Sequence, residues 1–312
     1  MLSRKDVRPA QTQHLLDNGI IPISIDHRLC PEVDLIEGPM TDVCHALDWA
    51  RNFLPGTSLK RPDIQIDSTR VVVVGWSTGG MLALSLGWTA PARGLRPPEA
   101  ILVFYCTTDY ASEWYKRPHF PWRTSQADAE KSYDVWEGIY DDAITGFNIA
   151  SARVPGGWMS TQDARARIPL HMNWTGPTLP ILLGGLSSKE KARRQRSLSE
   201  NPRPSLPSYD GRTRLPIPPA GRIEAINPLA QIRMGNYRTP TYFVHGTEDD
   251  FIPWQETRGT YKELIKRNIP AGISLVSGGG HMFEILEVPK NDKRVWQAVL
   301  DGYQFLFEHL KV

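Results

Sequence analysis

The stretch Val71-Val72-Val73-Val74-Gly75-Trp76-Ser77-Thr78-Gly79-Gly80-Met81-Leu82-Ala83-Leu84-Ser85-Leu86 decides the fold. Four consecutive valines predict a short strand with no polar face, as a strand buried on both sides requires. The apolar, small-residue run from Met81 predicts a helix. Between them stands G-x-S-x-G, Gly75 to Gly79, in the strand–turn–helix setting that lifts a serine hydroxyl clear of a sheet edge. Sterics account for the glycines: a side chain two positions either side of Ser77 is expected to collide across so tight a turn. Ser77 is therefore expected to be a nucleophile. The Thr78 amide, at the helix N-terminus, is expected to donate to a developing oxyanion.

Outward from the elbow, similar apolar runs at residues 19–25, 100–105, 241–244 and 273–276 predict further strands. Helical spacing predicts helices at 7–17, 40–52, 80–89, 255–267 and 293–310. Strands alternating with helices read as an α/β fold with a mostly parallel sheet and crossover helices. The alternation breaks between about residues 109 and 237, a span holding five of the ten tryptophans (Trp114, Trp122, Trp136, Trp158, Trp174). The expected organisation is a core at 1–108 and 237–312 around an insertion at 109–236. Within the insertion, residues 189–222 combine a basic cluster with repeated proline. Such a stretch cannot bury enough apolar surface to offset its ordering entropy, so a mobile loop is expected.

A serine hydroxyl is a poor nucleophile until a base takes its proton, so an acid and a histidine must follow. The run 241–244 leads into His245-Gly246-Thr247-Glu248-Asp249-Asp250-Phe251-Ile252-Pro253. The spacing H-G-x-x-D-x-x-[IV]-P selects Asp249 as the acid and leaves Asp250 as a helix cap or turn residue. His245 is expected to support the acid loop rather than to react. After the run 273–276 comes Ser277-Gly278-Gly279-Gly280-His281-Met282-Phe283, whose His281 completes the order Ser…Asp…His. The remaining histidines have no partner at meaningful spacing.

Composition removes several other classes. The chain has 312 residues, 40% of them hydrophobic and 22% charged, which is ordinary for a globular domain. Thirty-six basic against 34 acidic residues leave a net charge of +2, no footprint for a nucleic-acid binder. No apolar run approaches the ~18 residues of a membrane span. Three cysteines, Cys30, Cys44 and Cys106, suit neither a disulfide framework nor a zinc site. Cys106 is expected to be a small buried hydrophobe. With no metal-ligand or nucleotide-binding spacing, no cofactor and no metal are expected. The charged N-terminus lacks a signal core, so a cytoplasmic location is expected.

Asp26-His27-Arg28-Leu29-Cys30-Pro31-Glu32 resembles the D-Y-R-L-A-P-E signature of the hormone-sensitive-lipase-like α/β-hydrolases, and the elbow, acid and histidine motifs follow in matching order. Leu29 to Met40 and Val74 to Gly80 are similar to the C-terminal thioesterase domain of fungal non-reducing polyketide synthases that carry a C-methyltransferase. The resemblance implies release of a methylated aromatic polyketide from the phosphopantetheine of an acyl carrier protein, the partner expected of such a domain. Ser77 would accept the acyl group and His281 would activate first Ser77 and then water, with Asp249 orienting the imidazole. The resemblance also implies that the Trp-rich insertion at 109–236 makes the lid and acyl pocket of the hydrolase core, and the basic cluster at 189–196 could attract an acidic carrier protein.

The departure from the family pattern is at the beginning. Family members carry an H-G-G oxyanion loop, and a strand leading to it, before the helix that here starts near Ser3. An N-terminally truncated hydrolase is therefore expected, from a fragment of a longer polypeptide or a gene model begun late. One oxyanion donor fewer is worth on the order of 2.7–4 kcal/mol of transition-state stabilisation. Without that strand, the runs at 20–25 and 71–74 would either flank a gap or pair directly. Two rival functions stay open: a free-standing carboxylesterase of the same fold, and an inactive remnant that binds a partner. The acyl substrate, the choice between hydrolysis and cyclisation and the oligomeric state are not readable from the sequence.

Overall fold

The computed structural model describes residues 9–57, 63–119, 164–184, 215–286 and 292–310. Four strands, β1 (Val73–Trp76), β2 (Ile101–Phe104), β3 (Thr241–Gly246) and β4 (Ala271–Val276), pair in the order β1-β2-β3-β4, every pair parallel. The helices are α1 (Pro9–Asp17), α2 (Thr41–Asn52), α3 (Thr78–Ala92), α4 (Ala164–Thr175), α5 (Thr178–Gly184), α6 (Ala220–Ile226), α7 (Pro228–Met234), α8 (Trp254–Lys266), α9 (Phe283–Leu286) and α10 (Lys293–Leu310). This is the expected α/β architecture, a parallel sheet with flanking helices.

The described residues fall into two compact units. The sheet unit takes 9–25, 40–57, 63–109, 227–286 and 292–310. Its centre is β2, whose four residues Ile101, Leu102, Val103 and Phe104 are all essentially inaccessible to solvent. Against the sheet lies α3, which is apolar all round because neighbours surround it: β1 and β2 on the sheet side, α2 and α7 elsewhere. Helix α10 presents Val295, Val299, Tyr303, Leu306 and Leu310 to the core at helical spacing and packs on β2, β3 and β4. Helix α1 docks through the Tyr303 hydroxyl, which donates to Gln11 at 2.9 Å.

Two details of the sheet differ from the expectation. The valine strand lies two residues later than its sequence suggests, because its ladder with β2 begins at Val73 opposite Ile101. Val71 is instead held by Glu99, giving its amide to the carboxylate and its carbonyl to the Glu99 amide. The run 19–25 is not a strand, and it neither joins β1 nor enters the sheet. A strand is defined by the partner it bonds to, and β1 pairs with β2 alone among the described residues. Ile21, Ile23 and Ile25 consequently stay exposed.

The second unit takes 26–39, 110–119, 164–184 and 215–226. Its organiser is Asp34: Oδ1 accepts the amides of Ile36 and Glu37 at 2.9 and 2.8 Å, while Oδ2 accepts from Arg222 on α6 at 2.9 Å. The Leu35 amide donates to the Leu182 carbonyl in α5. Residues 26–39, quoted above for the family resemblance, thus frame this unit. Trp174 is buried on α4, and Trp114 stacks on His119 with 3.5 Å between ring centroids. Burial pushes the His171 imidazole on α4 down to about 4. Trp122, Trp136, Trp158 and most of the expected loop at 189–222 lie outside the described residues. The end of that loop corrects the expectation, since Ala220 to Arg222 open helix α6.

Candidate active site

Ser77 sits between β1 and α3 with φ 50 and ψ −125, a conformation seldom adopted by a residue with a Cβ. Close packing holds it there. A Cβ on Gly75 would lie 2.3 Å from the Gly79 carbonyl oxygen, so the strand and the first helical turn can meet only over a bare Cα. Gly79, by contrast, has open space where its own Cβ would be; the second steric demand belongs to Gly80, whose Cβ would meet Cys106 at 2.6 Å. The expected collision at Gly79 is therefore corrected by one residue. The Ser77 amide donates to the Phe104 carbonyl at 2.9 Å, tying the elbow to the end of β2. Thr78 opens α3, in the first turn whose amides have no intrahelical acceptor.

The acid loop after β3 and the histidine loop after β4 are bonded to each other. Thr247 donates its amide to the Val276 carbonyl, Glu248 to the Gly279 carbonyl, and the Gly278 amide donates to the Thr247 hydroxyl. Gly246 makes this approach possible, since a Cβ there would stand 2.1 Å from the Gly279 oxygen. Asp249 and His281 are both delivered to one end of the parallel ladder.

The structure brings Ser77, His281 and Asp249 together. His281 Nε2 lies 3.0 Å from Ser77 Oγ and its Nδ1 lies 2.8 Å from Asp249 Oδ2. An ionised carboxylate can only accept, so the neutral ring carries its proton on Nδ1 and offers Nε2 to the serine hydroxyl. Asp249, not Asp250, is the aspartate facing His281. Its Oδ1 accepts the amides of Phe251 and Ile252, both at 2.9 Å, and its Oδ2 also accepts from His245 Nε2 at 3.1 Å. Burial by itself pushes the Asp249 carboxyl up, but the His281 charge and the hydrogen bonds of His245 and His281 outweigh it. The carboxyl is held well below the usual carboxylate range.

His245 supports the acid loop as its position suggested. Its Nε2 faces the Asp249 carboxylate and the Ile252 carbonyl, both acceptors, so this nitrogen carries hydrogen, and Nδ1 takes up the Thr257 hydroxyl at 2.8 Å. Sequence reading missed two neighbours of the imidazole: Tyr105, with ring centroids 4.8 Å apart, and Phe251, at 5.4 Å. Phe251 stands two residues past the acid, which was an available signal; Tyr105 gave none, because the run 100–105 reads as strand to its end and only the structure stops β2 at Phe104. Cys106 is buried, and burial pushes its thiol far up, which leaves it an inert packing residue. Among the described residues, no three His, Cys, Asp or Glu side chains cluster as metal ligands do, and no helix is long and apolar enough to cross a membrane.

A family model described as "alpha/beta hydrolase fold" matches residues 12–144, and one described as "Dienelactone hydrolase family" matches residues 225–309. A 5-methylorsellinic acid synthase of Aspergillus terreus is 48% identical over 313 residues, spanning 99% of this chain and 12% of its own length. A non-reducing polyketide synthase, mapC, of Penicillium roqueforti is 50% identical over 295 residues, 94% of this chain and 11% of its own. The chain thus spans about an eighth of the curated relatives it matches. Among solved structures, a Staphylococcus aureus protein of unknown function superimposes with a TM-score of 0.54 at 16% identity, covering 99% of this chain and 85% of its own. The chain has the α/β-hydrolase fold and is similar, along nearly all its length, to a segment of the fungal non-reducing polyketide synthases.

Proposed function

We propose that Ser77, His281 and Asp249 form a catalytic triad that cleaves an acyl thioester, releasing a polyketide from an acyl carrier protein. The observation that carries this reading is the unbroken relay from a strained serine to a buried carboxylate, through contacts of 3.0 and 2.8 Å. Ser77 Oγ attacks the thioester carbonyl as its proton passes to His281 Nε2. Negative charge on the carbonyl oxygen is met by the Thr78 amide at the start of α3. Collapse of the tetrahedral adduct breaks the carbon–sulfur bond, and the imidazolium returns its proton to the departing thiolate. Water, deprotonated by His281, then hydrolyses the acyl-serine and restores the hydroxyl.

Asp249 holds the proton on Nδ1 throughout and stabilises the transient imidazolium. Its low proton affinity keeps it charged for that task. The Aspergillus terreus relative is named as the synthase of an acid, 5-methylorsellinic acid. A free acid requires water as the acceptor, which favours hydrolysis over closure by an internal hydroxyl. The insertion at 109–236 is the proposed lid and acyl pocket.

The test is a fluorophosphonate label followed by turnover of an acyl-N-acetylcysteamine thioester. Labelling should map to Ser77, and Ser77→Ala and His281→Ala should each abolish thioester cleavage while the chain stays folded. An unlabelled, folded wild type would end the enzymatic reading. Turnover of a p-nitrophenyl ester with none of the thioester would transfer the reading to a carboxylesterase.

A further inference from the structure

We propose that Tyr105 is the positioning residue that sets the His281 imidazole against Ser77, and that Glu284 holds Tyr105 in that post; this rests on the catalytic reading of Ser77, His281 and Asp249. Tyr105 follows β2 directly and has φ 37, a left-handed conformation in which a bulky aromatic residue is strained. Such strain persists where surrounding contacts over-determine it, and here they are on both sides. The Tyr105 amide donates to the Val244 carbonyl at 2.8 Å, and the preceding carbonyl, of Phe104, holds the Ser77 amide. The phenol hydroxyl donates to Glu284 Oε1 at 2.6 Å.

Between those two anchors the ring meets His281 edge-on, with an interplanar angle of 61°, and Phe283 at 75°. Tyr105 and Glu284 are each 1% exposed. Glu284 lies three residues after His281, so the bond closes a short loop: base, α9 carboxyl, phenol, ring, base. The backbone of the same tyrosine adjoins the residue that fixes the nucleophile. One strained residue thereby spans both partners of the proton transfer. A buried carboxyl is an expensive anchor for a tyrosine whose only duty is to fill space, since an apolar neighbour packs as well without desolvation.

The experiment compares Tyr105→Phe, Tyr105→Leu, Glu284→Gln and Glu284→Leu with wild type. It measures thermal melting, the rate of fluorophosphonate labelling of Ser77, and kcat and KM on p-nitrophenyl acetate. Tyr105→Phe keeps the ring and loses its anchor; Glu284→Gln keeps an acceptor for the phenol. The expected result is a fall in kcat and labelling rate for Tyr105→Phe and Glu284→Leu, a larger fall of up to about a hundredfold for Tyr105→Leu, and KM unchanged. Glu284→Gln should restore kcat to near the wild-type value.

Folded Tyr105 variants that label and turn over like wild type would overturn the proposal, as would a loss confined to KM or a Glu284→Gln no better than Glu284→Leu. If the Tyr105 variants fail to fold, the Glu284 pair reads the same contact from its other end. A wild type that itself does not label would overturn the catalytic reading instead, before any variant is compared.

Discussion

At the scale of single residues, Asp249 is the most constrained atom group in the site. Both of its oxygens are occupied, Oδ1 by two backbone amides and Oδ2 by two histidines. Asp249→Asn replaces an acceptor by a donor facing Nδ1 and so imposes the wrong His281 tautomer; a fall in kcat of about 10⁴ is expected. Asp250→Asn should stay near wild type, and equal losses at the two aspartates in a thioester assay would contradict the assignment. Asp249 also makes stability depend on acid. Its folded pKa lies below the unfolded value of about 3.9. Its stabilising contribution is therefore complete above about pH 5 and is lost as pH falls through the unfolded value towards the lower folded one. Urea denaturation at pH 6 and at pH 3 should show wild type losing more stability than Asp249→Asn over that interval.

At the scale of elements, the site depends on two loops that touch through backbone. With a Cβ 2.1 Å from the Gly279 oxygen, Gly246→Ala must separate the acid loop from the histidine loop. The bond from the Glu248 amide to Gly279 would break first, and Asp249 and His281 would part with it. We expect Gly246→Ala to lose most of its turnover and about 1–3 kcal/mol of stability, as overpacked interiors do. Kinetics and denaturation of the same preparation check both. Gly79, with open space at its Cβ position, should tolerate alanine far better than Gly75.

At the scale of the whole molecule, the sheet unit has a polar tie far from the chemistry. Arg51, at the end of α2, donates to the carbonyls of Ser68, Arg96 and Pro97 and to both oxygens of Glu99, which also accepts the Val71 amide. One guanidinium thus gathers α2 and the approaches to β1 and β2. The pair is mostly buried, with side chains 8% and 11% exposed. Removing Arg51 strands the carbonyls of Ser68, Arg96 and Pro97, while Glu99 keeps Arg96 at 2.7 Å and the Val71 amide. Arg51→Ala should cost about 1–3 kcal/mol, read from urea denaturation.

The elbow, the order of serine, acid and histidine, and the parallel α/β class were legible in the sequence. Each is written locally: four valines and a glycine-flanked serine, a carboxylate past one strand, a histidine after a glycine run past the next. The sequence also favoured Asp249 over Asp250 and gave His245 to the acid loop, because motif spacing is a local property. What only the tertiary structure decided is non-local. Residues 19–25 are rich in isoleucine, as a buried strand is, but Pro22 cannot donate to a ladder and the segment finds no neighbour to pair with, so it remains outside the sheet. That Gly80 rather than Gly79 is sterically required follows from Cys106, a residue on another segment. The contact of Tyr105 with Glu284 joins positions 179 residues apart. No periodicity along the chain encodes such a meeting; it arises when the ends of β2 and β4 are brought to one rim of the sheet.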